Sequence, residues 1–383
     1  MQKHLRLKTI TSCFYRQRIF MSTPAMAVAD DYEFQKGVKH LFENGVSKLP
    51  NKYILPVSDR PNVHKENSNV AESSLQLPVI DFSELHGPNR SRVLDSLSSA
   101  CEEYGFFQVV NHGIAIDSIR SMIDVSGRFF GLPYEERAKY MSTDMSSPVR
   151  YGTSFNQIKD SVFCWRDFLK LVCNPLSDVL PRWPSSPIDF REVAATYAKE
   201  TKWLFLKMTE AILECLGGAT TPEDDEILKQ FKDGSQLMVV NCFPPCPEPE
   251  LTLGMPPHSD YGFLTLLLQD EVEGLQIQYK GKWITVEPMA NSFVVNVGDH
   301  LEIFSNGRYK SVLHRVVANP AKPRLSVASL HSLPFDCMVR PSPKLIDEEN
   351  PRRYKDTDFA TFLEYVSSCE PKKKNFLESR KLT

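Results

Sequence analysis

Met255-Pro256-Pro257-His258-Ser259-Asp260 is the stretch from which the fold of this 383-residue chain can be worked out. In a β-strand the side chains of residues i and i+2 lie on one face, so we expect His258 and Asp260 to converge while Ser259 points away. A further histidine, His314, follows far downstream. Two imidazoles and one carboxylate can form one face of an octahedral metal site. We therefore predict that these three side chains bind one metal ion.

The identity of the metal does not follow from these donors, because Zn²⁺ and Fe(II) both accept two histidines and a carboxylate. Pro323-Arg324-Leu325-Ser326 separates the two. Arg324 and Ser326 are again at positions i and i+2, and a guanidinium beside a hydroxyl forms a receptor for a carboxylate. Non-haem Fe(II) oxygenases leave coordination positions open for O2 and an acid that binds through two atoms. A zinc hydrolase would have no need of the carboxylate receptor formed by Arg324 and Ser326.

The composition is that of an ordinary globular enzyme. The formal net charge is −3, with 24% charged and 42% hydrophobic residues, so we expect no nucleic-acid partner. The sequence has no apolar run of the length needed to span a membrane. The nine cysteines form no CxxC pair and their number is odd, which favours a reducing compartment. We expect a cytoplasmic monomer that acts on a small molecule.

The N-terminal extension, residues 1–29, is basic and contains no acidic residue before Asp30. Leaders of this composition are typical of organelle transit segments, so a plastid location stays open beside the cytoplasm. The other interpretation is a plain tail, with translation beginning at Met21 in the more usual protein.

Residue patterns divide the remainder into an N-terminal region (30–232), a β-rich core (233–335) and a C-terminal helical lid (336–383). Apolar spacing predicts a long helix from Glu192 to Leu216 and a C-terminal helix from Phe359 to Tyr365. Turn signals separate seven short strand-like runs in the core. These runs are 236–240, 264–268, 275–279, 282–286, 292–297, 311–317 and 324–330. We predict an α+β fold with a mainly β core, built as a sandwich or jelly roll.

Longer motifs surround the two signatures. They are Asn241-Cys242-Phe243-Pro244-Pro245-Cys246-Pro247, Gly274-Leu275-Gln276, Gly298-Asp299, Ser305-Asn306-Gly307-Arg308-Tyr309-Lys310-Ser311, His314-Arg315 and, near the N terminus, Tyr104-Gly105-Phe106-Phe107-Gln108-Val109-Val110-Asn111-His112-Gly113. Together they resemble the plant 2-oxoglutarate- and Fe(II)-dependent dioxygenases, in particular the flavanone 3-hydroxylase-like branch of specialised metabolism. The resemblance extends over most of the chain.

This resemblance implies a double-stranded β-helix, or jelly roll, with helices packed around it. It also implies Fe(II) as cofactor, 2-oxoglutarate and O2 as co-substrates, and ascorbate as the reductant that keeps the iron reduced. The residues that it assigns to Fe(II) and to 2-oxoglutarate are, respectively, His258, Asp260 and His314, and Arg324, Ser326 and Asn241.

Two positions depart from the family. Phe243 stands where many relatives have a tyrosine that helps to hold the co-substrate, so weaker 2-oxoglutarate binding is expected. Leu330 stands where flavonoid-oxidising relatives carry an aromatic residue that stacks on the substrate, which weakens the case for a flavonoid. Relatives place substrate-facing residues near Tyr151, Phe155 and Phe163, so these three and Leu330 are candidate substrate contacts. Ordinary core packing is the alternative for each aromatic residue.

The leading hypothesis is hydroxylation of a plant small molecule that is phenolic, flavanone-like or indolic. One alternative is oxidation of a plant hormone of the gibberellin, auxin, salicylate or strigolactone type. Another is an enzyme like aminocyclopropane-carboxylate oxidase, which shares the motifs but does not consume 2-oxoglutarate. The last is a non-catalytic binding protein on the same fold, for which the loss of a metal ligand is the expected sign.

Overall fold

The computed structural model describes residues 36–61, 76–154, 157, 160–217, 222–368 and 376–382. The predicted N-terminal extension (1–29) and Phe155 lie outside these residues. The helices are α1 (Val38–Glu43), α2 (Arg90–Glu103), α3 (Ile116–Phe130), α4 (Tyr134–Ala138), α5 (Leu176–Val179), α6 (Phe190–Gly217), α7 (Pro222–Lys232), α8 (Asp299–Phe304), α9 (Phe359–Ser368) and α10 (Phe376–Arg380). The strands are β1 (Val79–Asp81), β2 (Phe106–Val110), β3 (Val149–Thr153), β4 (Asp167–Val172), β5 (Gln236–Phe243), β6 (Met255–His258), β7 (Leu264–Gln269), β8 (Leu275–Tyr279), β9 (Lys282–Thr285), β10 (Phe293–Val297), β11 (His314–Val316) and β12 (Arg324–His331).

The strands form two facing sheets. The large sheet has eight strands in the order β1-β2-β10-β7-β12-β5-β4-β3, and the small sheet has four in the order β6-β11-β8-β9. Within the described residues β1 pairs with β2 in parallel, and the other strand pairs are antiparallel. This is the architecture of a jelly roll, as the sequence predicted.

The two faces of the large sheet pack against different partners. On β2, Phe107 and Val109 belong to the main hydrophobic core, which includes residues of α2, α3 and α6. Phe106 belongs instead to a smaller cluster with Leu275 and Ile277 of the small sheet. Neighbouring residues divide in this way because side chains alternate along a strand. We call the face toward the small sheet the inner face and the face toward the helices the outer face.

The predicted strands in the β-rich core are all present, and β8 has the predicted bounds. Long helix α6 is likewise present. Strands β3 and β4 and helix α3 were not predicted. Because β1 to β4 belong to the large sheet, this sheet includes strands on both sides of the predicted boundary at residue 232.

Membrane-spanning segments were searched for among the described helices. None of these helices combines the length and the apolar character that a bilayer crossing requires. The longest, α6, has 28 residues and carries charged side chains such as Lys199 and Lys207 along its length.

Gly105 joins α2 to β2 and lies against the segment that leads to His314. Its φ of +63° is in the left-handed region that glycine adopts at little cost. A Cβ atom at this position would lie 2.1 Å from the carbonyl oxygen of Lys310 and 2.8 Å from Cγ2 of Val312. Only glycine therefore permits this close approach of two backbone segments.

We expect Gly105→Ala to lower the free energy of unfolding by roughly 3 kcal/mol or more, because backbone strain adds to a backbone clash. Gly281→Ala is the matched control, since Gly281 has a φ of +79° with no atom within 4 Å of the added Cβ. The control should lose only about 1–2 kcal/mol from strain. Denaturant unfolding measures both values, and equal losses would show that the contact with Lys310 contributes nothing.

Candidate metal and co-substrate site

Strand pairing brings the predicted metal ligands together. His314 at the start of β11 is the direct antiparallel partner of His258 at the end of β6, and their ring centroids are 4.1 Å apart. Oδ1 of Asp260 lies 3.8 Å from Nε2 of His258 and 3.7 Å from Nε2 of His314. The three side chains form a cluster whose ligand atoms all lie within 4.8 Å of one another. These spacings are slightly wider than the roughly 3 Å between neighbouring donors of a bound ion.

Backbone carbonyls set the tautomer of both histidines. Nδ1 of His258 lies 2.8 Å from the carbonyl oxygen of Pro256, and Nδ1 of His314 lies 3.3 Å from that of Val312. A neutral imidazole that donates from Nδ1 keeps a lone pair on Nε2, the atom that faces Asp260. Burial, together with the adjacent His314 ring, lowers the pKa of His258 to about 3. His258 is therefore neutral at pH 7 and ready to bind a metal.

Asp260 does not lie on a strand, contrary to the prediction. Strand β6 ends at His258, and Asp260 belongs to the loop that follows. Its carbonyl oxygen accepts from the backbone N–H of Asp299 at 2.7 Å, and its Oδ2 accepts from Nδ2 of Asn296 at 2.9 Å. Burial opposes ionisation, but the two imidazoles and the hydrogen bonds hold the pKa of Asp260 below its ordinary value. Oδ1 is left to face the histidines.

Asp299 links the two segments that carry the ligands. Its Oδ2 accepts from Oγ of Ser259 at 3.2 Å, and its Oδ1 accepts from Oγ of Ser311 at 2.7 Å. Ser259 separates two of the ligands and Ser311 precedes the third, so one carboxyl group holds both segments. Burial raises the pKa of Asp299 to about 7, although both hydrogen bonds act in the opposite direction.

The C-terminal helix α9 packs beside the metal-ligand loop. The ring centroid of Tyr261, which follows Asp260, lies 4.3 Å from that of Phe362 and 5.2 Å from that of Phe359. On its other side Tyr261 contacts His300 at 4.1 Å. The part of the chain predicted as a lid therefore makes aromatic contacts next to a metal ligand.

The predicted carboxylate receptor lies on the inner face of β12. Nη1 of Arg324 lies 3.4 Å from Oγ of Ser326, which confirms that the two side chains share a face. The guanidinium also donates to Oε1 of Gln269 at 2.9 Å and to the carbonyl oxygen of Val272 at 3.1 Å. Burial lowers the pKa of Arg324 to about 10, and Asp270 acts in the opposite direction. The guanidinium is buried and charged, and its hydrogen-bond partners among the described residues are all neutral.

Strand β5 places Asn241 and Phe243 beside this receptor. Asn241 is the direct partner of Ser326, and Phe243 is the direct partner of Arg324. The Arg324 guanidinium lies 5.2 Å from the centroid of the Phe243 ring, within the range of a cation–π contact. Phe243 therefore supports the guanidinium but, as predicted, has no hydroxyl to donate to a bound acid.

Two of the predicted substrate contacts lie in cores away from the metal ligands. Tyr151 is fully buried on the outer face, where its ring contacts Phe129 and its hydroxyl donates to Oδ2 of Asp167 at 2.9 Å. Phe163 packs against Tyr53 in a separate small core, with ring centroids 5.8 Å apart. The structure assigns both residues to ordinary packing, which corrects the prediction for them.

Leu330 is a predicted substrate contact whose side chain lies on the inner face, as a substrate contact should. It lies half-buried on β12 at an even spacing from Arg324 and Ser326, so all three share the inner face. The next residue, His331, points outward, stacks on Phe205 and lies 2.9 Å from Oγ of Ser329. Phe155, the fourth candidate, lies outside the described residues.

The sequence analysis missed several residues that support the site, namely Asn296, Asp299, Gln269 and Arg166. A signal for Asn296 was present, because it is the single polar residue in the strand Phe293-Val294-Val295-Asn296-Val297. Asp299 belonged to a quoted motif without a role. Nothing in the local sequence indicates that Gln269 reaches Arg324, since they lie on different strands.

Comparison with known proteins agrees with this geometry. The model of the 2OG-Fe(II) oxygenase superfamily matches residues 234–332, and the model described as non-haem dioxygenase in morphine synthesis N-terminal matches residues 77–187. The chain is 45% identical over 302 residues to Protein DMR6-LIKE OXYGENASE 1 from Arabidopsis thaliana, covering 79% of this chain and 84% of that protein. The chain belongs to the 2OG-Fe(II) oxygenase superfamily. It is an oxidoreductase.

Further relatives of this oxygenase act in plant metabolism. It is 42% identical over 309 residues to Flavanone 3-dioxygenase 2 from Oryza sativa subsp. japonica, covering 80% of this chain and 87% of that protein. Among solved structures, JOX2 in complex with 2OG, Fe and JA superposes with a TM-score of 0.78 at 32% identity, over 91% of this chain and 98% of that chain. The oxygenase therefore shares both its sequence family and its jelly-roll fold with plant enzymes.

The residues present fit both groups that this family uses. For Fe(II), the fit rests on the His–Asp–His donor set and on the two Nε2 atoms that face one carboxylate oxygen. For 2-oxoglutarate, it rests on the buried Arg324 guanidinium and on Nε2 of Gln269. Within the described residues, the guanidinium forms no ion pair and Nε2 of Gln269 has no hydrogen-bond partner. A bound carboxylate would supply the missing acceptors.

We expect Asp299→Asn to weaken metal binding about 10- to 100-fold, the usual effect of removing support from metal ligands. The single carbonyl oxygen of asparagine can replace only one of the two carboxylate oxygens that bind Ser259 and Ser311. Calorimetric titration of the metal-free enzyme with Co²⁺ measures the change. Asp224→Asn is the control, because this buried carboxylate binds Lys344 away from the ligands. Equal affinities in the two variants would contradict a role for Asp299 in positioning the ligands.

Proposed function

We propose that this oxygenase hydroxylates a plant small molecule that is phenolic, flavanone-like or indolic, at a mononuclear Fe(II) site, with 2-oxoglutarate and O2 as co-substrates. The observation that carries the proposal is the Arg324–Ser326 receptor, which shares the space between the sheets with the His–Asp–His cluster. A metal site alone suits many reactions. A metal site with a buried carboxylate receptor suits a reaction that consumes a keto acid.

In this proposal each group has a defined task. His258, Asp260 and His314 hold Fe(II), while Arg324 and Ser326 bind the carboxylate of 2-oxoglutarate that is farther from the metal. When bound there, Fe(II) and 2-oxoglutarate would supply the chemistry that activates O2 for oxidation of a C–H bond, with succinate and CO2 as products. The protein supplies orientation and a site sheltered from water. Ascorbate would keep the iron reduced.

The inner face also offers an apolar wall for a small organic substrate. Leu237, Val239, Ala328 and Leu330 lie at alternate positions of β5 and β12 and are half-buried, whereas Met238, Val240 and Val327 of the outer face are fully buried. Paired strands place Leu330 beside Leu237 and Ala328 beside Val239. Half-exposed aliphatic side chains inside a barrel are typical of a ligand pocket.

A second candidate is oxidation of a plant hormone. The structural match to JOX2 spans 91% of this chain and that structure contains JA, and the dioxygenase for auxin oxidation from rice superposes with a TM-score of 0.68 at 26% identity over 80% of this chain. The aliphatic wall formed by Leu330 and its neighbours would suit such compounds as well as phenolics.

We expect a weak visible absorption band when Fe(II) and 2-oxoglutarate are added to the enzyme without oxygen, because the keto acid chelates the metal. His314→Ala should abolish the band, whereas His86→Ala, a change at an exposed histidine, should leave it unchanged. Release of succinate with a panel of phenolic, indolic and hormone-like compounds would then identify the substrate. A wild-type enzyme without the band, or a band that persists in His314→Ala, would refute the proposed function.

We expect Arg324→Ala to weaken 2-oxoglutarate binding by about 2–5 kcal/mol, the usual effect of removing one member of a buried charge pair. Ser326→Ala should weaken it by about 1.5–3 kcal/mol, the contribution of a hydrogen bond to a charged group. Ser329→Ala is the matched control, because Ser329 lies on the same strand but faces outward toward Thr201. Titration of the absorption band measures all three, and unchanged affinity in Arg324→Ala would mean that the acid is bound elsewhere.

A further inference from the structure

Two buried arginines, Arg166 and Arg324, form no ion pair with any carboxylate in the described part of the chain. Their exposed fractions are 3% and 2%. Arg137, also buried, shows the usual alternative, since its guanidinium donates to Glu43 at 2.6 Å. A buried cation without an anion costs free energy, so a persistent one indicates a missing partner. For Arg324 the family provides that partner, the co-substrate.

Arg166 has the same type of surroundings as Arg324. Its Nη1 donates to Oδ1 of Asn241 at 3.1 Å and lies 3.2 Å from the thioether sulfur of Met255. Its Nε is buried and has no hydrogen-bond partner among the described residues. Met255 begins β6, the strand that ends at His258, and Asn241 lies on β5 opposite Ser326, so the guanidinium joins the metal strand to the strand that pairs with the receptor.

Neighbouring side chains make this wall of the interior positive. Phe168, on β4, has the Arg166 guanidinium 4.9 Å from its ring centroid and the Arg150 guanidinium at 5.1 Å. Lys170 follows at the next inward position, and burial together with the Arg150 charge lowers the pKa of its ammonium group to about 8. Asp160 attracts both guanidinium groups and Asp144 attracts Arg150 and Lys170. Asp167 also attracts Arg166, but its carboxylate lies on the outer face, where it accepts from the backbone N–H of Val38 and the hydroxyl of Tyr151. On the inner side, three cations thus face two anions.

We propose that Arg166 binds a carboxylate of the primary substrate, an inference that rests on the proposed function. The two carboxylates of 2-oxoglutarate are already accounted for in that function, one at Arg324 and Ser326 and the other at the metal. Arg166 therefore requires an anion from a different molecule in the same interior. The oxidised compound is then an acid, and its apolar part lies along the wall of Val239 and Leu330.

This assignment divides the proposed substrates by charge. Aromatic and indolic carboxylic acids carry the group that Arg166 binds, whereas neutral flavanones would leave its charge buried and unpaired. The planar fork of a guanidinium matches a carboxylate through two parallel hydrogen bonds, which a lysine ammonium group cannot reproduce. Arg166 thereby acts in specificity and orientation, while the metal ligands and Arg324 act in the reaction common to the family.

The test compares acids with their uncharged amides in the complete enzyme with Fe(II) and 2-oxoglutarate. The probes are cinnamate and cinnamamide, 4-hydroxybenzoate and 4-hydroxybenzamide, and indole-3-acetate and indole-3-acetamide. Binding without oxygen is followed by the change in the visible band, and turnover by substrate-dependent succinate. We expect the wild type to bind at least one acid about 30-fold or more tightly than its amide, the effect of a desolvated charge pair.

Arg166→Gln should reduce this preference to within about threefold, and Arg166→Lys should retain part of it because the charge remains. Affinities for the amides should not change, and the affinity for 2-oxoglutarate is measured beside them because Arg166 also donates to Asn241. Arg191→Gln is the control, because this guanidinium binds only the backbone carbonyls of Pro181 and Trp183. Thermal unfolding identifies a variant that fails to fold, and Arg166→Lys then carries the test. The inference is overturned if no acid binds the wild type more tightly than its amide does. It is also overturned if the preference for the acid survives in Arg166→Gln. A missing band in the wild type would instead refute the proposed function itself.

Discussion

The short antiparallel pairing between β6 and β11 is the constraint on which the candidate site depends. It places His314 directly opposite His258, so that both imidazoles face the carboxylate of Asp260. Strands of four and three residues are too short to be stable alone. Their position is therefore set by the contacts around them, such as the close approach at Gly105 and the carboxyl group of Asp299.

The inner and outer faces of the large sheet have different roles. The outer face is buried by helices and filled with apolar side chains, which is where burial supplies most of the stability. The interior beside the inner face holds Asp260, Arg324 and Arg166, charged groups for which a dry interior is unfavourable. Ligands that supply the missing opposite charges would stabilise the folded state as they bind. The charged groups of the site thus lower the stability of the ligand-free fold, and apolar burial on the outer face offsets this loss.

Much of the fold could be predicted from local pattern. Alternating β-rich runs located the core strands, and the spacing of Arg324 and Ser326 placed both on one face of β12. Strand β3 was missed because it is short, contains a glycine and has only two apolar side chains, Val149 and Tyr151. Tyr151 was expected in the pocket because relatives place substrate-facing residues in this segment, but its side chain points to the outer face and lies in the core. A segment match does not fix which face a side chain takes, since a shift of one residue exchanges the faces of a strand.

The sequence by itself determined the donor types of the metal site, the carboxylate receptor and the positions of the core strands, because these depend on residue chemistry and on the period of two within single strands. Only the tertiary structure decided which residues meet: the two histidines across a strand pair, Asp260 in a loop held by Asp299, and Arg166 beside Asn241. These contacts join segments far apart in the chain. No local pattern specifies them, because they follow from how the two sheets and the surrounding helices pack together.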